Sequence, residues 1–201
     1  MRRINWRASA HHGELMVRQE EQESTPEATV VLDRSARRWA PAAAVAGDDP
    51  LFEAAVSAAA SAVARLSREG YDVDLVDTDG TALGPTVPAG DGVAVEQLAL
   101  QLAVVTSGGD DHLALVPKLF AGTVAGPVVV VTAHVTPADV AALARLVGHS
   151  ALPLLLAAES DDAALRRAET AGWRTGHLVA DGDLAEMWTV ATGRGSDRAA
   201  V

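Results

Sequence analysis

Cysteine is absent from this chain of 201 residues, which excludes disulfide bonds and metal sites built on thiolates. Aromatic residues make up only 3%, so the sequence predicts a core of small and β-branched side chains with helices lying close to a sheet. No apolar run approaches the ~18 residues that a membrane helix needs. The first residues, M-R-R-I-N-W, also lack the apolar segment of a signal peptide. We therefore expect no membrane span in this chain and a cytoplasmic location.

Lysine is nearly absent as well, since Lys118 is the only one; arginines are plentiful, but the net charge is −11. That balance argues against a general nucleic-acid-binding protein. Residues 1–20 differ from the rest, because their four arginines and two glutamates give them a net charge of +2. Hydrophobic residues make up 49% of the chain and charged residues 21%, which excludes disorder of the whole chain. The length allows one domain, or at most two small ones.

Strand and helix patterns alternate along most of the chain. Short apolar runs predict strands, and Asp49-Pro50 and T-P-A-D at 136–139 predict helix starts. Asp79-Gly80 is a hairpin signal, so residues 81–83 are expected to fold back antiparallel. The fold class is therefore α/β, with a mostly parallel, Rossmann-like sheet, one antiparallel edge strand and helices on both faces. We expect an N-terminal segment and connector at 1–27, the α/β domain at 28–192 and a flexible tail at 193–201.

Ligands of parallel sheets bind beyond the carboxyl ends of the strands. The predicted elements place three groups of polar residues along that rim: Asp33 and Ser35 after the first strand, Thr106 to Asp111 in a glycine-containing loop, and Thr132 to His134. The turn after the first strand lacks the glycines of a dinucleotide site, and there is no P-loop or nucleophile elbow. Asp110 and Asp111 could bind a cation, although two aspartates there more often cap a helix. His134 could be a general base, but no nucleophile or partner can be assigned to it.

Two N-terminal segments carry a resemblance to a known family. R-R-I-N-W-R-A-S-A at 2–10, followed by G-E-L-M-V-R at 13–18, resembles the signature of the domain-of-unknown-function 58 family. The helix pattern at 52–64 also resembles the first helix of the actinobacterial branch. The signature residues are Arg3, Trp6, Arg7 and Arg18. They are interpreted either as a packed tryptophan with solvated arginines or as a basic docking patch.

The resemblance implies a fold similar to von Willebrand factor A domains. Relatives usually carry a membrane hairpin before the signature and are tethered to the inner face of the cell membrane. This chain begins inside the signature, so it is expected to be a truncated form, an unusual gene start or an unanchored copy. Relatives are often encoded beside MoxR-type AAA+ ATPases and transglutaminase-like membrane proteins.

The resemblance also implies a test for a metal-ion-dependent adhesion site, in which carboxylate and hydroxyl oxygens hold a divalent cation. Asp33 and Ser35 match the first two positions of the D-x-S-x-S motif, and Thr106 could supply the threonine. Arg37 replaces the second serine, and no aspartate follows the fourth strand. Mg²⁺ binding is therefore expected to be weakened or absent. A rival hypothesis is that Arg34 or Arg37 pairs with Asp33 and replaces the metal electrostatically.

The function expected from these features is a non-enzymatic protein-interaction module. It would act as an accessory or adaptor to a MoxR-type AAA+ ATPase system in the assembly or maturation of client proteins, including membrane-associated ones. One alternative is a metal-assisted hydrolase that uses Asp33, Asp110 or His134. Another is a degenerate structural module. Arg34, Arg37, Asp110, Asp111 and His134 are the candidate interaction residues at the rim.

Overall fold

The computed structural model describes residues 25–122, 125–158, 160 and 162–193. The predicted N-terminal signature, with Arg3, Trp6, Arg7 and Arg18, lies outside the described residues. Residues 194–201 of the predicted tail also lie outside them.

Five strands form one parallel sheet in the order β2-β1-β3-β4-β5. The strands are β1 (Glu27–Leu32), β2 (Asp72–Val76), β3 (Ala125–Thr132), β4 (Ser150–Ala157) and β5 (Arg174–His177). The helices are α1 (Pro50–Arg68), α2 (Gly92–Leu102), α3 (Val116–Leu119), α4 (Pro137–Val147), α5 (Asp162–Thr170) and α6 (Leu184–Gly193). This architecture confirms the α/β, Rossmann-like fold class predicted from the sequence.

Side chains of successive strand residues alternate between two hydrophobic cores, one on each face of the sheet. Val129 and Val131 of β3 belong to the core beneath α1, α2 and α6. Val128 and Val130 belong to the core beneath α3, α4 and α5. Because both faces are covered, β3 is a continuous apolar run, as expected of a buried parallel strand.

The helix starts follow the local sequence signals. The Asp49 carboxylate accepts hydrogen bonds from the backbone N–H groups of Leu51 and Phe52 at the start of α1. Thr136 and Asp139 form a reciprocal capping box at the start of α4. Pro117 disfavours a continuous helix over 112–121, and the structure contains a 3₁₀ turn at Leu113–Leu115 followed by the single turn of α3.

The predicted antiparallel edge strand at 81–83 is not formed. Two isolated antiparallel bridges take its place beside β2, Val76 with Ala82 and Val73 with Val87. Gly84 and Pro85 lie between the two bridges, and proline has no N–H to donate to a ladder. The described sheet is therefore entirely parallel.

Gly126 marks a close approach between β3 and β1. A Cβ atom at Gly126 would lie 1.9 Å from the backbone oxygen of Glu27. We expect Gly126→Ala to lower the free energy of unfolding by about 1–3 kcal/mol, because the strand backbones would have to move apart. Urea denaturation measures this loss. Gly148→Ala is the matched control, since a Cβ there meets no atom within 4 Å, and equal losses in both variants would contradict the prediction.

Candidate functional site

The order in which strands are added to the sheet reverses between β1 and β3, which are parallel neighbours. From β1 the chain crosses to β2 on one side and later returns to place β3 on the other side of β1. The loops that leave β1 and β3 therefore diverge, and this is where ligands of such sheets bind. Asp33 directly follows β1, and Thr132 ends β3.

Asp33 is fully buried at this point. Its Oδ1 atom accepts a hydrogen bond from the Ser35 N–H at 2.9 Å, and its Oδ2 atom accepts one from the Thr132 hydroxyl at 2.6 Å. Burial raises the pKa of Asp33 to about 6, against the opposing effect of these hydrogen bonds and of the nearby Arg38. The carboxyl group is thus held rigidly and is costly to ionise.

The guanidinium group of Arg38 lies among three carboxylates. Its Nε atom is 3.4 Å from Asp33 Oδ2, and its Nη2 atom is 2.7 Å from Asp111 Oδ2. With Asp139 it forms a two-pronged contact, Nη1 to Oδ2 at 3.0 Å and Nη2 to Oδ1 at 2.9 Å. Nη1 also donates to the backbone oxygen of His134 at 2.6 Å. The Arg38 side chain is only 8% exposed, so these contacts are screened little by water.

Asp139 serves two structures at once. Its Oδ2 atom accepts hydrogen bonds from the N–H and hydroxyl of Thr136, which complete the capping box of α4. Burial alone would raise the pKa of Asp139, but the hydrogen bonds from Arg38 and Thr136 outweigh it and lower the pKa. The ionised carboxylate therefore joins the start of α4 to the loop after β1.

Trp39 anchors the same loop to the core. Its Nε1–H donates to the backbone oxygen of Asp33 at 2.8 Å, and its ring meets that of Phe52 edge-on at 5.0 Å. Asp33, Arg38 and Trp39 are thus held by the sheet, by α4 and by α1 respectively. The loop after β1 is ordered from several sides, as a preorganised rim requires.

The arginines of the rival hypothesis are placed differently from what the sequence suggested. Arg34 donates from Nε to Asp77 Oδ2 at 2.9 Å, and Arg37 is exposed. The arginine against Asp33 is Arg38. The hypothesis that Arg34 or Arg37 pairs with Asp33 was therefore wrong about the residue.

The three predicted metal ligands have different surroundings. Asp33 has its Oδ2 atom between the Thr132 hydroxyl and Arg38, and the Ser35 hydroxyl is buried without a hydrogen-bond partner among the described residues. Thr106 lines a neighbouring cleft that Asp33 does not line. No group of three or more histidine or acidic side chains suited to a metal ion is found within the described ranges. Asp33, the one carboxylate among the predicted ligands, is contacted by the Arg38 guanidinium and by the Thr132 hydroxyl.

Of the remaining rim candidates, Asp111 and His134 contact Arg38, and Asp110 lines the neighbouring cleft. Asp111 accepts from the backbone N–H of Leu113, as a helix-capping residue would, and also binds Arg38. His134 is exposed, and its backbone oxygen accepts a hydrogen bond from Arg38. Asp110 lies in the cleft wall.

The cleft has a volume of about 220 Å³ and lies beyond the ends of β1 and β2. The loop of residues 106–110 forms one wall and is bonded to the loop after β1, because the Gly108 N–H donates to the Arg34 backbone oxygen at 2.6 Å. The other wall is the turn after β2. The lining residues are Arg34, Asp77, Thr78, Asp79, Thr106, Ser107, Gly108, Gly109, Asp110 and His112.

Arg38, Asp139 and Asp77 are the rim residues that the sequence analysis missed. Asp139 was identified only as a helix cap. A run of three arginines within five positions after β1, in a strongly acidic chain, was the available signal that one of them is buried among carboxylates.

A scan against protein-family models finds no match for this chain, and a search of curated proteins finds none either. Among the described residues, the longest helices are too short or too polar to cross a membrane.

Proposed function

We propose that this chain is a non-enzymatic protein-interaction module that binds its partner at the rim formed by the carboxyl ends of β1, β2 and β3, without a metal ion. The observation that carries the proposal is the Arg38 guanidinium among Asp33, Asp111 and Asp139. A fixed internal cation holds the three rim loops together, a role that a divalent ion fills in adhesion sites of the kind the resemblance implies. The von Willebrand factor A-like identity of the fold is part of this proposal.

The rim is suited to a protein surface more than to a small substrate. Its central carboxyl, Asp33, is fully buried, and both of its oxygens are hydrogen-bonded. The residues around it that are exposed, Ala36 and Arg37, project from an ordered loop. No specific observation favours the hydrolase alternative, since Asp33 and His134 do not line the cleft that contains Asp110.

The proposed partner is a MoxR-type AAA+ ATPase, with this chain as an adaptor that presents client proteins to it in the cytoplasm. This part of the proposal rests on the resemblance of residues 2–18 to the domain-of-unknown-function 58 signature. The acidic chain and its ordered rim are compatible with a docking role that needs no cofactor.

The test measures binding between the full chain and a purified MoxR-type ATPase from the same organism, by biolayer interferometry with and without EDTA. We expect binding that EDTA does not change. Ala36→Trp, which adds bulk to the exposed rim, should weaken binding about tenfold or more. Ala89→Trp adds the same bulk at the opposite end of the sheet, beside Asp72, and should leave binding unchanged.

Three results would overturn the proposal: no complex at micromolar concentrations, a complex that EDTA abolishes, or equal weakening by the two tryptophan variants. Circular dichroism of both variants checks that they are folded before binding is compared.

A further inference from the structure

The cleft beyond β1 and β2 is lined by more carboxylates than arginine or lysine side chains, and His112 also lines it. Arg34 is paired with Asp77 within it, which leaves the carboxylates of Asp79 and Asp110. Neither of these forms an ion pair with an arginine or lysine in the part of the chain that the structure describes. The backbone N–H of Thr81 donates to Asp79 and lowers its pKa, so that carboxylate stays ionised at neutral pH.

The Ser107 hydroxyl is a second polar group in the cleft wall. Ser107 lines the cleft, is only 8% exposed and makes no side-chain hydrogen bond to any described residue. Its backbone N–H is occupied by the Ala43 oxygen, so the loop position is fixed. A hydroxyl in the cleft wall that makes no side-chain hydrogen bond offers an acceptor to an N–H donor that enters from outside.

The size of the cleft limits what can enter. Its volume of about 220 Å³ is below the ~300–1,000 Å³ of typical small-molecule pockets. It therefore has room for one long side chain rather than for a nucleotide or a coenzyme. Two carboxylates and a hydroxyl acceptor in such a space are complementary to a group that is cationic and rich in N–H donors.

Two exposed apolar side chains precede the cleft wall in the sequence. Leu100 is 76% exposed and Val104 is 74% exposed, at the carboxyl end of α2 and just before Thr106. Exposed apolar side chains close in sequence to the residues of an acidic cleft are complementary to a segment that combines a basic residue with apolar neighbours.

We propose that this cleft binds an arginine or lysine side chain of the partner protein between Asp79 and Asp110, with apolar neighbours of that residue packed on Leu100 and Val104. The inference rests on the proposed function and specifies the chemistry that the rim recognises. The Ser107 hydroxyl accepts one N–H of the bound group.

The test uses the full ¹⁵N-labelled chain and the acetylated, amidated tripeptide Leu-Arg-Leu, titrated by NMR. We expect saturable shifts of the backbone amides of Thr78, Asp79 and residues 106–110, with a dissociation constant of about 1–10 mM. The peptide with citrulline in place of arginine keeps the shape without the charge and should bind at least about fivefold more weakly. The lysine peptide should produce shifts at the same amides.

The variant Asp79→Asn/Asp110→Asn should weaken Leu-Arg-Leu binding at least about fivefold, because it removes both charges and keeps the oxygen that accepts the Thr81 N–H. Its matched control is Glu27→Gln/Glu69→Gln, which removes two exposed charges at the opposite end of the sheet and should leave binding unchanged. The proposal is overturned if the arginine and citrulline peptides bind equally, if the shifts lie elsewhere, or if the control variant weakens binding as much.

The same variants separate this proposal from the proposed function. If Asp79→Asn/Asp110→Asn binds the ATPase as tightly as the unaltered chain while Ala36→Trp does not, the rim is an interface and the cleft is not its recognition site. If the tripeptide binds in the cleft but the ATPase does not bind at all, the cleft proposal stands and the adaptor function fails.

Discussion

Replacing Arg38 with methionine is expected to lower the free energy of unfolding by about 3–5 kcal/mol at pH 7. Methionine keeps much of the aliphatic length, but it leaves Asp33, Asp139 and Asp111 without their shared cation. A buried charge without a partner is far more costly than a buried pair is favourable. The backbone oxygen of His134 also loses its donor.

Urea denaturation at several pH values tests this prediction. The loss should shrink toward pH 4.5, because protonated Asp33 carries no charge to be neutralised. The free energy of unfolding of Arg38→Lys should lie between those of the unaltered chain and Arg38→Met, since an ammonium group cannot reproduce the two-pronged contact with Asp139. Arg37→Met is the control for an exposed neighbour and should change stability by less than about 0.5 kcal/mol. A loss below about 1 kcal/mol for Arg38→Met would show that the guanidinium does not hold the rim together.

The second large effect is a loss of stability as pH rises from 4 to 6. The pKa of Asp33 is about 6 in the folded chain, against 3.8 as its ordinary value. Between these values the folded state binds more protons than the unfolded state, so the free energy of unfolding falls with rising pH and levels off above 6. A displacement of about two pH units corresponds to roughly 3 kcal/mol at 1.36 kcal/mol per unit. Asp139, whose pKa is lowered, contributes its own pH dependence only below about 3.8.

Asp33→Asn isolates this effect, because asparagine does not titrate and its amide oxygen can still accept from the Ser35 N–H. We expect the unfolding free energy of the variant, measured in urea from pH 4 to 8, to lack the decline seen in the unaltered chain. The remaining slope reports the other titrating groups. If the variant declines with pH as steeply as the unaltered chain, the carboxyl of Asp33 is not the group responsible.

The fold was largely predictable because its signals are local. The apolar runs of β1, β3 and β4 and the caps of α1 and α4 are each written within a few consecutive residues. The edge strand was predicted from an equally local signal, the Asp79-Gly80 turn, and the structure has only isolated antiparallel bridges there. The turn forms, with Gly80 at a φ of 89°, but a turn does not guarantee the ladder beyond it when Gly84 and Pro85 interrupt the second arm.

The rim was only partly predictable. Asp33 was identified because it follows a buried strand, and the carboxyl ends of parallel strands meet at one edge. Its partner could not be identified, because three arginines follow within five residues and local sequence does not distinguish them. Asp139 lies 101 residues from Arg38 in the sequence. Because its place in a helix-capping motif already explains an aspartate at this position, the sequence gives no reason to expect a contact with an arginine.

The sequence by itself determined the order of strands and helices, the parallel sheet covered on both faces, and the edge of the sheet where polar residues gather. These depend on hydrophobic periodicity and capping, which act over a few neighbouring residues. Only the tertiary structure decided that Arg38 takes the centre of that edge, that Arg34 turns instead to Asp77, and that Asp79 and Asp110 lie in one cleft. The physical reason is that the partners of a buried charge are set by distance and geometry in the folded chain. Carboxylates from loops about a hundred residues apart in sequence come near the same guanidinium only in the tertiary structure.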